Sequence, residues 1–210
     1  MVIKTGILCV PAYDENAVTA VRRLLVGSAP GCVVLLDHAV TMQRHLIEEV
    51  LRRWADEDEL DLIVTLGGTM PAPGPSGREI VPDATLAVAE RLLPGLPETM
   101  RALAQERAPL AILDRSVAAI RGRTLILNLP AGAAAATLFL ESVVEVIATV
   151  VVWLQEDQPD LRILPGDDSE ADSPVRENPI EMSGVEPPRG KKELDAAEFA
   201  AFLSRRKTAE

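Results

Sequence analysis

The chain has 210 residues, 48% of them hydrophobic, with a mean hydropathy of +0.15. That length suits one domain with an appendage, and that composition can bury a sizeable core. A formal charge of −11 and an aromatic content of 3% exclude a cationic duplex-binding face and a base-stacking platform, so no nucleic acid partner is expected. Cys9 and Cys32 lie in apolar runs without paired spacing, which reads as buried thiols of a reducing compartment. Lys4 interrupts the first apolar stretch and argues against a secretory leader, so a soluble cytoplasmic protein is expected.

Residues 3–10, IKTGILCV, form an apolar run of strand length. Asp14 or Asn16 can cap a helix through VTAVRRLLVG, and CVVLLD at 32–37 reads as a buried strand. Residues 41–55 carry helical periodicity through Met42, Leu46, Ile47, Val50, Leu51 and Trp54. DLIVTL at 61–66 is another strand and ends in Gly67, Gly68 and Thr69. Pro82 suits the first turn of a helix running to about Leu93, and a second short helix is expected around 97–105. After a turn at Arg121, Gly122 and Arg123, RTLILNL at 123–129 is the last clear strand, and Gly132 opens a long Ala-rich helix. Strands apolar throughout and alternating with helices predict an α/β fold, with a parallel sheet covered on both faces, over residues 1–154.

The segment AGAAAATLFLESVVEVIATVVVWL at 131–154 is long and apolar enough to suggest a membrane span. Glu141 and Glu145, four residues apart, stack on one face of such a helix, and two acids at a bilayer centre would cost about 2.5 kcal/mol or more each. A helix against a sheet is therefore expected, and no membrane partner. Beyond it the composition shifts: residues 155–210 carry 14 acids and 8 bases and hold Pro159, Pro165, Pro174, Pro179, Pro187 and Pro188. The expectation is a disordered acidic C-terminal tail, with a short helix at 194–206 spaced by Leu194, Phe199, Phe202 and Leu203.

In a parallel sheet, ligands sit beyond the carboxyl ends of the strands. Two such ends combine small residues with a following loop or helix start, where backbone N–H groups can hold an anion: Gly67, Gly68 and Thr69, and Asn128 through Pro130, Ala131 and Gly132. Alone, a Gly-Gly-Thr turn is simply tight; the long Pro/Gly-rich loop behind it shifts weight towards function. In that loop Arg78 can contact a phosphate oxygen and Glu79 can hold a magnesium ion, unless the two form a solvated ion pair. Asp83 reads first as a helix-dipole carboxylate. His45, Glu48 and Glu49 share a helix face but lack a second histidine at metal-ligand spacing, and read as solvated surface. Near the last strand lie Asp114, Arg115 and the Arg121-Gly122-Arg123 run, which reads most simply as a turn with its basic side chains in water, unless one arginine reaches an anionic ligand or an acid across a subunit boundary.

Four ordered blocks, DLIVTLGGT at 61–69, REIVPDATLAVAERLLPGLPETMR at 78–101, LDRSVAAIRGRTLILNLP at 113–130 and the Ala-rich helix, resemble the molybdopterin-binding family of MogA/MoaB type. The resemblance covers about residues 3–154 and implies a three-layer α/β/α domain with a mostly parallel sheet, commonly a homotrimer or higher oligomer. It implies molybdopterin as substrate or ligand, and AMP transfer from ATP to its phosphate with Mg2+ present, as a nucleotidyltransferase of molybdenum cofactor biosynthesis. Gly67, Gly68, Thr69, Asn128, Pro130, Ala131 and Gly132 would hold the pterin and its phosphate, with Arg78 and Asp83 as further ligand-binding positions and Glu79 as the catalytic and metal-holding acid.

The chain departs from the family pattern in four places. Met70 stands for a glycine, and the stretch before Arg78 is longer than usual, with Glu79 in place of an aspartate; one extra methylene can misalign a catalyst. No acid lies at 39–43, where the family carries one. Ala131, Gly132 and Ala133 replace a Gly-Ser-Pro continuation, and the loop at 11–16 is short. Two alternatives therefore stand beside the enzyme: a non-catalytic pterin- or nucleotide-binding protein, and a partner-recruiting protein whose tail engages other molybdenum cofactor proteins.

Overall fold

The computed structural model describes residues 2–71 and 80–155. Arg78, Glu79 and the tail from 156 onward, with its expected helix at 194–206, lie outside the described residues. The chain divides into two units, Met1–Ile163 and Leu164–Glu210, the second wholly outside them.

A six-stranded sheet forms the middle layer. It contains β1 (Ile3–Cys9), β2 (Cys32–Ala39), β3 (Leu62–Leu66), β4 (Arg91–Leu92), β5 (Ala118–Arg121) and β6 (Thr124–Leu129), in the order β2-β1-β3-β6-β5-β4. The first four in that order run parallel, and β5 and β4 add antiparallel pairing at one edge. Alternation along the strands divides the core. Leu62, Val64 and Leu66 of β3 and Leu125, Leu127 and Leu129 of β6 face α1 (Glu15–Ser28), α4 (Gly95–Ala104), α5 (Ala133–Glu141) and α6 (Val144–Gln155). Ile63 and Ile126 face α2 (Arg44–Asp56) and α3 (Ile80–Val88). Helices on both faces bury the central strands completely, which is why those strands are apolar throughout.

Of the two caps offered for α1, Asp14 is the one used: it accepts from the Ala17 amide at 3.0 Å. Three other local expectations are corrected. The strand expected to be buried at 32–37 is an edge strand that extends to Ala39 and exposes Val33, Leu35 and Leu36, because among the described residues it pairs with β1 alone. The helix expected to reach Leu93 stops at Val88, since Arg91 and Leu92 pair with β5 and the flanking amides of Glu90 and Leu93 donate to Ile120 and Ala118. The Ala-rich segment is two helices bent by 66°, not one. At the break the Ser142 hydroxyl donates to the Phe139 carbonyl at 2.7 Å and Val143 N–H reaches back three residues to Leu140. Phe139 and Leu140 before the bend and Val144, Ile147 and Val151 after it all reach the same core. Among the described residues no single helix is long and apolar enough to cross a membrane.

Candidate functional site

Three strand tips are stitched together where the carboxyl ends of β1, β3 and β6 meet. Val10 N–H donates to Leu66 O at 2.9 Å, and Gly67 N–H donates to Leu129 O at 2.9 Å. The second bond joins the 67–69 turn to the start of the 130–132 loop directly. Gly67 has a φ of +100°, and a Cβ built on it would lie 2.1 Å from Val10 O, so glycine is required there by both conformation and space. Thr69 O accepts from Arg115 N–H at 3.1 Å, which fixes the far end of the turn to the segment before β5.

These contacts frame a cleft of about 610 Å3. Gly68, Thr69 and Met70 line one side of it, and Pro130 and Ala131 another. Ala134, Ala135 and Phe139 extend the lining along α5, while Leu110 and Ala111 come from a short 3-10 helix, Pro109–Leu113. Met42, from the acid-free 39–43 stretch, also lines it, so the stretch that lacks an acid borders the cleft with a thioether. Gly132, at φ +86°, is the N-cap residue of α5 and makes no side-chain cap; the amides of the first turn have no partner within the helix and form the positive, anion-suited end of its dipole. No charged side chain lines the cleft among the described residues.

The expected site residues separate into groups. Gly68, Thr69, Pro130 and Ala131 meet at the cleft, with Gly67 buried beneath and Gly132 beside it. Asn128 is fully buried on the opposite face of the sheet: its amide donates to Thr65 Oγ1 at 3.0 Å and Thr85 Oγ1 at 2.9 Å, and its oxygen accepts from Val117 N–H at 3.3 Å. Its side chain thus cross-links β3, β6 and α3. Asp83 sits in the first turn of α3 and accepts from Arg115 at 2.9 Å, outside the cleft lining.

Away from the cleft, Arg44 at 2.7 Å and Arg52 at 3.0 Å bracket Glu48, and Arg44 foremost holds its carboxyl below the usual range. Among the described residues no group of three His, Cys, Asp or Glu gathers to hold a metal. Burial pushes both thiols, Cys9 and Cys32, above their ordinary range. The contributions of Met42, Leu110 and Ala111 to the cleft lining were not signalled by any motif. Asp114, 4% exposed and bonded to Thr69, lies within the 113–130 block, but nothing in the sequence singled it out.

Residues 12–149 match a family model described as "Probable molybdopterin binding domain". The molybdopterin adenylyltransferase of Escherichia coli (strain K12) is 36% identical over 140 residues, covering 67% of this chain and 70% of that protein. Its counterpart from Haemophilus influenzae is 43% identical over 140 residues, covering 67% and 69%. The crystal structure of the molybdopterin biosynthesis enzyme MoaB from Thermus thermophilus aligns with a TM-score of 0.65 at 37% identity, over 72% of this chain and 96% of that one.

Proposed function

The chain belongs to the molybdopterin-binding domain family, and from that membership and the cleft we propose that it binds molybdopterin and transfers AMP to it from ATP. The observation that carries this reading is the Gly67–Leu129 hydrogen bond, which makes two strand tips suited to anions into the walls of one cleft. In the reaction an oxygen of the pterin's terminal phosphate attacks the α-phosphorus of ATP. A new P–O–P bond forms, the α–β bond breaks and pyrophosphate leaves. Such chemistry needs alignment and neutralisation of charge more than covalent participation by the protein.

Within this reading the small residues of the 67–69 turn let the backbone approach the ligand closely, and the amides opening α5 face its anionic end. The apolar wall of Met42, Met70, Leu110 and Phe139 excludes water from the flat part of the ligand. Arg78 and Glu79 are assigned the charge of the phosphates and of Mg2+ carried on ATP. A magnesium ion arriving with a triphosphate needs only one or two protein carboxylates, a demand that a lone Glu79 satisfies. Asp83, already paired with Arg115, is assigned a supporting role.

We extend the proposal to a homotrimer or higher oligomer. Leu110, Ile112 and Leu113 are 68%, 63% and 51% exposed in one short stretch, an apolar patch suited to a second copy of the chain. Unpaired buried thiols at Cys9 and Cys32 accord with a cytoplasmic location.

The test is direct: the full chain incubated with molybdopterin, ATP and Mg2+ should release pyrophosphate and yield adenylated pterin, and Glu79→Gln should abolish transfer while sparing pterin affinity measured by calorimetry. Intact pterin binding with no pyrophosphate across metals and pH would remove the transferase claim and leave a binding protein. Deleting residues 156–210 and comparing pulldowns tests whether the tail recruits other molybdenum cofactor proteins.

A further inference from the structure

Asp114 follows the 3-10 helix as a carboxylate that is 4% exposed. Removing such a charge from water is costly unless donors replace the lost hydration. The two oxygens have separate partners. Oδ1 accepts from the Ser116 amide at 2.8 Å and from the Ser116 hydroxyl, closing a local turn of the kind Asp favours. Oδ2 accepts from Thr69 Oγ1 at 2.5 Å, across 45 residues of sequence. Arg101 braces the segment from outside through backbone carbonyls, with Nη1 at 3.1 Å from Ser116 O and 3.4 Å from Asp114 O.

The local turn explains one oxygen and not the other. In the second contact the Thr69 hydroxyl donates and the carboxylate oxygen accepts. Thr69 is then held twice by the same segment, through its side chain to Asp114 and through its carbonyl to Arg115 N–H. Gly67 is held by Leu129 O. Gly68 lies between these two clamps and lines the cleft.

We propose that Asp114 is a positioning residue for the cleft: acting through the Thr69 hydroxyl, it holds the 67–69 turn in the geometry that receives the ligand. Asp114 is absent from the cleft lining, so its influence passes through Thr69. The identity of the ligand rests on the molybdopterin reading above; the clamp itself does not.

The experiment uses the full chain with molybdopterin as the titrant, in Thr69→Val, Asp114→Ala, the double variant and Asp114→Asn. Thr69→Val keeps the side-chain shape and the Asp114–Ser116 turn while removing the hydroxyl. Each disruptive single variant should lower affinity about tenfold, as loss of a charge-assisted hydrogen bond predicts. The double variant should fall no further than Asp114→Ala, because both changes break one link. Asp114→Asn should stay within about threefold of the parent, since its carbonyl still accepts from Ser116 and its amide donates to Thr69 Oγ1. Losses that multiply in the double variant, or single variants that bind like the parent, overturn the proposal. Should Asp114→Ala fail to fold, Thr69→Val against Asp114→Asn decides alone. Hydrogen exchange of the Gly68 and Met70 amides in ligand-free protein supplies the separation from the molybdopterin reading. Faster exchange in Thr69→Val with parental rates in Asp114→Asn supports the clamp even if the parent binds no molybdopterin, which would refute that reading only. Unchanged exchange in Thr69→Val refutes the clamp whatever the ligand.

Discussion

Gly67→Ala is the substitution whose cost follows most directly from the geometry. The added Cβ would sit 2.1 Å from Val10 O, about 1 Å inside any ordinary contact, and the obstructing atom is backbone and not a side chain that can swing away. At φ +100° alanine also carries a conformational penalty of about 1–3 kcal/mol. Relief of the clash requires β1 and the turn to separate, which stretches the Val10–Leu66 and Gly67–Leu129 hydrogen bonds, each worth about 1 kcal/mol net. The total is a loss of about 3–5 kcal/mol, a large part of the stability of an ordinary domain. Urea unfolding followed by tryptophan fluorescence, with Trp54 buried against the sheet, reads this loss. With a slope of about 2 kcal/mol per molar urea, the midpoint should fall by about 1.5 M or more. The control is Gly27→Ala in α1, where nothing lies within 4 Å of the added Cβ; it should be neutral or stabilise by up to about 1 kcal/mol. A midpoint for Gly67→Ala within about 0.5 M of the parent would refute the stitching of the two tips through that residue.

Asn128→Ala orphans two buried threonine hydroxyls and the Val117 amide, and should destabilise the domain by about 3 kcal/mol or more, seen as a lower urea midpoint. Tyr13, the chain's only tyrosine, donates to Asp37 at 3.0 Å, and that bond foremost raises its phenol above the ordinary value of about 10. Its contribution to stability is present below the unfolded pKa and lost as pH rises through the higher folded value. Phenolate absorbance should therefore titrate later in the parent than in Asp37→Asn, and coincident curves would contradict the bond's role. Charging the exposed patch with Leu110→Asp and Ile112→Asp should shift the light-scattering mass towards the monomer, and an unchanged mass would place the subunit interface elsewhere.

Much of the site was legible because its residue types are dictated by backbone demands. A turn with φ near +100° calls for glycine, and helix starts call for small residues, so Gly67, Gly68, Ala131 and Gly132 were visible as the tips of two strands. Their proximity to each other was not visible, since it depends on β3 and β6 being neighbours in the sheet. Asn128 shows the opposite failure. It lies in the right loop by sequence, yet strand alternation turns its side chain to the face of α3, where Thr65 and Thr85 consume it.

The sequence by itself determined the layered α/β plan, because complete burial of parallel strands leaves an unbroken apolar signature and helices leave a 3.6-residue one. It also placed the cap of α1 at Asp14 or Asn16 and the turn at Gly122. The tertiary structure alone decided that β2 is an edge, that the Ala-rich segment bends at Ser142, and that Asp114 reaches Thr69 across 45 positions. Those outcomes depend on which elements become neighbours, a property of the packed chain that no local periodicity encodes.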